Sequence, residues 1–291
     1  MQSNTTLTAA AAGTVTIGGD LTVNRMGYGA MRITGEGVWG PPKDHAGAIA
    51  VLRRAAELGI NVIDTADSYG PNVSEELISE ALYPYPKDIV IATKAGWWRP
   101  GPGIWAHRAT PQHLREAVEG SLKRLRVERI DVFQLHIPDP NVGFEDSIET
   151  LAALRKEGKI RHVGLSNVTW EHVERARAIV PIVSAQNRYS VGDHRESDRL
   201  VDNCEREGIV FFPWNPVIRS AALADVIQNV ARAHAATVQQ IALAWLLRRS
   251  RTMIPIPGTS SIAHLEENIA AGGITLTDDE FKALTPQPVL R

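Results

Sequence analysis

Asp131-Val-Phe-Gln-Leu135, then Phe144-Glu-Asp-Ser-Ile-Glu-Thr-Leu-Ala-Ala-Leu-Arg-Lys-Glu157-Gly158, then Arg161-His-Val-Gly-Leu-Ser166, is the stretch that decides the fold. The first and last runs are short and β-rich, without the polar/apolar alternation of a half-exposed strand, so they read as strands buried on both faces. Between them apolar residues recur at three- and four-residue spacing, which is a helix with one apolar stripe, and Gly158 stops it. Strand, helix, strand in this order is a parallel pair with a helical crossover.

The same unit recurs in both directions. Strand candidates are Met26–Met31, Asn61–Thr65, Ile89–Lys94, Asp131–Leu135, Arg161–Ser166, Ile182–Gln186, Ile209–Phe212 and Met253–Pro257. Helix candidates between them include His45–Leu58, Ser74–Leu82, Pro111–Leu125, Phe144–Glu157, Trp170–Val180 and Glu196–Glu207, the third opened by Thr110 as cap and Pro111 in the first turn. Eight such units predict an α/β fold, a closed (β/α)8 TIM barrel over residues 14–291. An open doubly wound sheet is the competing architecture. It would usually carry a glycine-rich dinucleotide turn after its first strand, and Gly27-Tyr-Gly29-Ala-Met-Arg32 lacks the third glycine.

Three features decorate the barrel. Thr14–Ile17 and Leu21–Val23 around Gly18-Gly19 predict an N-terminal β-hairpin. Two helical stretches, Ala221–His234 and Val238–Arg249, stand before the eighth strand where one is expected, and further helix is predicted at the C-terminus. A long loop, Ala95–Ala109, carries Trp97, Trp98 and Trp105. Residues 1–13 are low in complexity and read as a flexible tail, not a signal peptide.

Composition narrows the function classes. Among 291 residues, 44% are hydrophobic and 22% charged, with a formal net charge of −2, so no basic field recommends nucleic acid or an anionic membrane as partner. The single cysteine, Cys204, cannot form an internal disulfide or a thiolate cluster for zinc. No metal site is expected, and a reducing, cytoplasmic setting is. No apolar run approaches the roughly 20 residues that span a bilayer.

In such a barrel the chemistry sits at the C-terminal strand ends. Asp64 ends the second strand, Lys94 the third, His136 follows the fourth, and Tyr69 lies in the loop after Asp64. An Asp–Lys pair alone is often only a salt bridge at a barrel rim, and a lone histidine usually a satisfied polar group. Four such residues on adjacent strand ends point to catalysis. Trp39 and Trp97, in loops at the same mouth, would give a pocket suited to flat aromatic or apolar carbonyl compounds.

Asn61-Val-Ile-Asp64-Thr-Ala-Asp67-Ser-Tyr69-Gly70, Ile91-Ala-Thr-Lys94, Gln134-Leu-His136 and Lys159-Ile-Arg-His-Val-Gly-Leu-Ser166-Asn167 together resemble the signature segments of the aldo-keto reductases, from about Val15 to Leu284. Gly37-Val-Trp39-Gly-Pro-Pro and Ile256-Pro-Gly-Thr-Ser-Ser-Ile-Ala-His-Leu-Glu-Glu-Asn268 further resemble the bacterial pyridoxal reductase-like (pyridoxine 4-dehydrogenase-like) branch. The resemblance implies NADPH-dependent reduction of an aldehyde or ketone, with NADH as the weaker cofactor and pyridoxal as a candidate substrate.

It also implies roles. Tyr69 would donate the proton, Lys94 would lower its pKa, Asp64 would hold Lys94, and His136 would orient the carbonyl. For the cofactor, Gly29, Met31 and Asp64 would sit near the nicotinamide ribose, and Ser166, Asn167 and Gln186 on the carboxamide. Phe211, with Pro213 after it, would stack on the nicotinamide. Gly258, Thr259, Ser260 and His264 would line the 2′-phosphate, and Glu267 and Asn268 the adenine. Gly258 and His264 stand where many members of the family carry Lys and Arg, which removes two charge-assisted bonds. Tyr69, His136, Trp39 and Trp97 would face the substrate. The expected partner is a small carbonyl compound, and the expected state a monomer or small homo-oligomer. A Schiff-base lyase using Lys94 and a non-enzymatic NADPH sensor are the other readings of the same residues.

Overall fold

The computed structural model describes residues 7–215 and 223–285. Seven parallel strands pair in chain order: β3 (Tyr28–Gly29), β4 (Val62–Asp64), β5 (Val90–Ala95), β8 (Ile130–Leu135), β9 (Ile160–Ser166), β10 (Ile182–Arg188) and β11 (Val210–Trp214). Segment 253–257 closes the ring. On one side Phe211 N donates to Thr252 O (3.0 Å) and Ile254 N to Phe211 O (2.9 Å). On the other, Gly27 N donates to Pro255 O (2.9 Å) and Gly29 N to Pro257 O (3.4 Å). Pro255 and Pro257 have no N–H to return, so this last ladder runs one way only. The fold is the expected eight-stranded α/β barrel.

Because every strand is buried on both faces, parity separates two cores. Val62, Val90, Ala92, Val132, Val183, Val210, Phe212, Ile254 and Ile256 fill the barrel interior. Ile63, Ile91, Phe133, Leu165, Ala185 and Phe211 point outward, against the helices. Below the interior, the hairpin β1 (Thr14–Ile17) and β2 (Leu21–Asn24) plugs the bottom with Ile17, Leu21 and Val23. Its turn needs positive φ, and Gly18 (63°) and Gly19 (86°) supply it.

The helical layer follows the predicted stripes, including α1 (His45–Glu57), α2 (Val73–Leu82), α3 (Pro111–Leu125), α4 (Phe144–Lys156), α5 (Trp170–Arg177) and α6 (Arg195–Arg206). Thr110 caps α3, its hydroxyl accepting from His113 N. Two helices, α7 (Ala224–Ala233) and α8 (Val238–Arg249), precede the eighth strand, and α9 (Ile262–Ala270) and α10 (Asp278–Leu284) follow it. Positions 221 and 222 of the stretch predicted to begin at Ala221 lie outside the described residues.

Two expectations are corrected here. The segment predicted as a flexible tail is packed from residue 7 onward, while residues 1–6 lie outside the described ones. Ala9–Ala12 make a 3₁₀ turn capped by Thr8, with Ala9 N bonded to Leu58 O at 2.8 Å. Alanine fits there because the space is tight: a Cβ on Gly272 would fall 2.9 Å from Ala12 N. The second concerns the predicted loop Ala95–Ala109. It folds back on itself as a small antiparallel pair, β6 (Trp97–Trp98) with β7 (Ala106–His107).

Candidate active site

Parity also builds the site. Continuing the inward positions one step past Val62, Ala92, Phe212 and Ile256 brings Asp64, Lys94, Trp214 and Gly258 to the mouth, where Ser166 at the end of β9 and Gln186, beyond a register shift in β10, join them. With His136 and Tyr69 they surround a cavity of about 920 Å³, into which all of them except the fully buried Lys94 open.

At its floor the buried Lys94 ammonium donates to Asp64 Oδ2 (2.8 Å) and to Thr65 O (2.7 Å). Gln186 Nε2 holds the other carboxylate oxygen of Asp64 at 2.8 Å. Lys94 Nζ lies 5.2 Å from the Tyr69 ring centroid, and the Tyr69 and His136 rings meet edge to face at 5.9 Å. Burial by itself would discharge Lys94, but Asp64 and Tyr69 outweigh it and hold the ammonium above its ordinary pKa. Burial and the Lys94 charge both push His136 well below its ordinary value, so the imidazole is neutral at pH 7.

Tyr69 departs from expectation. Lys94 does pull its pKa down, but burial pulls it up more strongly, helped by Asp64, and the net direction is upward. The phenol of the ligand-free protein therefore keeps its proton throughout the neutral range.

Around the wall, Gly29, Met31, Ser166, Asn167, Gln186, Gly258, Thr259, His264, Glu267 and Asn268 line the cavity. Asn167 sits in the left-handed region (φ 56°), and its Nδ2 donates to His136 O (2.9 Å) and Ser166 Oγ (3.1 Å). The amide of Gln186 spends its donor on Asp64, which leaves Oε1 as the acceptor open to a ligand. Ser260 is exposed and does not line the cavity.

Phe211 and Pro213 do not line it either, and this corrects the stacking assignment. Phe211 has outward parity and meets Tyr189 edge to face at 5.6 Å in the helix-side core. The aromatic residue at the mouth is Trp214, followed by Asn215. Strand parity counted back from the end of β11 is the signal that would have found it.

Trp97 reaches the cavity, stacked on His107 (4.7 Å, 29°), and so does Trp105, whose role the sequence left open. Trp39 does not. Its half-buried ring stands 5.5 Å from the Arg99 guanidinium instead, and Trp98 is 44% exposed. The sequence reading also passed over Arg32, Arg188 and Gln239, all at the mouth.

The departure at Gly258 has a steric reason. A Cβ there would fall 2.7 Å from Gly29 O and 3.2 Å from Arg32 Cγ, and one on Gly29 would fall 2.6 Å from Ile256 O. These glycines let the first and eighth strands close. Gly258→Ala is expected to cost ~1–3 kcal/mol of stability by overpacking, read as a shift in the urea midpoint. An unshifted midpoint would mean the seam can widen freely.

Three comparisons place the chain. Residues 25–286 match the model of the aldo/keto reductase family. An uncharacterised oxidoreductase of Schizosaccharomyces pombe is 49% identical over 279 residues, covering 95% of this chain and 90% of that protein. Pyridoxine 4-dehydrogenase of Escherichia coli is 42% identical over 277 residues, covering 91% and 95% respectively. An aldo-keto reductase of Klebsiella pneumoniae solved in complex with NADPH superposes with a TM-score of 0.79 at 26% identity, over 93% of each chain.

Proposed function

We propose that this chain, which belongs to the aldo/keto reductase family, reduces a flat aromatic aldehyde or ketone, with pyridoxal as the named candidate. It is an NADPH-dependent oxidoreductase that acts on small carbonyl compounds. The observation that carries the finer reading is the buried Lys94–Asp64 pair beneath Tyr69 and a neutral His136, at the floor of a cavity walled by Trp97 and Trp105.

The donor set suits a nicotinamide. Gln186, Ser166 and Trp214 all line the cavity, so Gln186 Oε1 would serve as acceptor and the Ser166 hydroxyl as donor for a carboxamide, with the Trp214 indole available for stacking. When bound, the dinucleotide supplies the hydride. This chain's own residues manage the oxygen. Negative charge developing on the carbonyl oxygen is met by the Tyr69 hydroxyl and by a ring N–H of His136. Lys94 then does in the transition state what it cannot do at rest: as the phenol gives up its proton, the fixed ammonium stabilises the phenolate left behind. Asp64 and Gln186 keep that ammonium in place.

A Schiff-base role for Lys94 fits poorly. Its nitrogen is committed to Asp64 and the Thr65 carbonyl, and its pKa is raised, opposite to what a nucleophilic amine needs.

A panel of carbonyl compounds including pyridoxal, read by loss of reduced-nicotinamide absorbance, tests the reading. Faster turnover of aromatic than of small aliphatic aldehydes is expected; no turnover of any carbonyl would sink it. Trp214→Ala should weaken NADPH binding about 3- to 10-fold through lost stacking, measured by quenching of protein fluorescence. Unchanged affinity would place the nicotinamide elsewhere.

A further inference from the structure

Arg99 is only 5% exposed, yet its guanidinium has no carboxylate partner among the described residues. A buried cation without a counter-ion is costly unless other groups satisfy it. Here backbone carbonyls do. Nε donates to Ile104 O (2.9 Å), Nη1 to Val38 O (3.0 Å) and Ser68 O (3.4 Å), and Nη2 to Gly37 O (3.1 Å). Its faces are covered by indoles, with Trp105 at 3.8 Å and Trp39 at 5.5 Å from the guanidinium carbon.

Those acceptors belong to three different loops. Gly37 and Val38 follow the first barrel strand, Ser68 follows the second and directly precedes Tyr69, and Ile104 with Trp105 follows the third. Gly70, on the far side of Tyr69, is tied to the first loop as well: Gly70 N donates to Val38 O (3.3 Å) and Gly40 N to Gly70 O (2.7 Å). One planar fork thus fixes the indole of Trp105 against the cavity and the backbone entering Tyr69. A lysine could not do this, having one nitrogen where four N–H bonds of a rigid plane are used.

We propose that Arg99 is a positioning residue that sets specificity, clamping the first three mouth loops so that Trp105 and Tyr69 present a preformed slot for planar aromatic carbonyl compounds. The proposal rests on the cavity being the carbonyl site. Trp39 gains a part in it: it is the back plate of the clamp, not a wall of the slot.

Arg99→Met and Arg99→Lys test it, with 4-nitrobenzaldehyde and propanal as substrates. Release of the loops by even an ångström should lower kcat/KM for the aromatic aldehyde ~10- to 100-fold, chiefly through KM, and for propanal only about threefold. NADPH affinity, measured by fluorescence quenching, should stay within about twofold, since no cofactor-side residue touches the fork. Arg99→Lys keeps the charge and should resemble Arg99→Met, and it decides the matter if the methionine variant does not fold. An unchanged aromatic-to-aliphatic ratio would overturn the proposal, as would an equal loss of both substrates, which marks a purely structural residue. If the unmodified protein reduces neither aldehyde, the functional reading fails instead. The clamp is then judged by the near-ultraviolet tryptophan circular dichroism, which must change in Arg99→Met or the clamp is refuted.

Discussion

Tyr69→Phe is expected to lower turnover ~10³-fold while leaving NADPH affinity within about twofold. The substitution removes one oxygen and nothing that holds the site together. Lys94 keeps its bonds to Asp64 and Thr65, Asp64 keeps Gln186, and the ring keeps its edge contact with His136. What disappears is the proposed proton donor and with it the phenolate that Lys94 would stabilise during the reaction. Steady-state rates beside a fluorescence titration separate the two quantities. Wild-type reduction of an aromatic aldehyde by the phenylalanine variant would show that His136 or water protonates the oxygen instead.

Lys94→Met should lose both activity and stability. Asp64 is 3% exposed, and without the ammonium its carboxylate would retain only the Gln186 amide. Removing one partner of such a pair costs ~3–5 kcal/mol, because the remaining charge is buried and unpaired. Pairing Lys94→Met with Asp64→Asn removes that charge and should restore most of the stability but none of the turnover. Urea denaturation of both singles and the double closes the cycle. If the double were no more stable than Lys94→Met alone, the packing of the lysine stem would matter more than the ion pair.

Much of this was legible in the sequence because parallel barrels repeat their grammar. The βαβ rhythm gave the strand count, and the strand ends gave Asp64, Lys94 and His136. The failures have physical causes. Strands buried on both faces lack the polar/apolar alternation that marks an inner face, so nothing in Ile209-Val-Phe-Phe-Pro-Trp214 says which aromatic ring reaches the mouth. The ring expected there is Phe211; the one that lines the cavity is Trp214. Side-chain aim within loops is set by contacts distant in sequence, and so Trp39 packs near Arg99 instead of in the cavity, while Trp105, whose place the sequence leaves open, reaches it. The tyrosine's acidity is likewise a balance of burial against charge, and burial cannot be weighed from residue order. The glycine at 258 could be seen as a departure, but only the approach of Gly29 O explains it.

The last barrel strand has a consequence beyond closure. While the ring is still open during folding, its free β-edges are where a second molecule could add a strand and start an aggregate. Pro255 and Pro257 expose no N–H on the side that later meets Gly27 and Gly29, so an intruding strand would find acceptors there but no proline donors to pair with. The same residues that make the native seam one-sided thus make the unfinished barrel a poor template for misassembly.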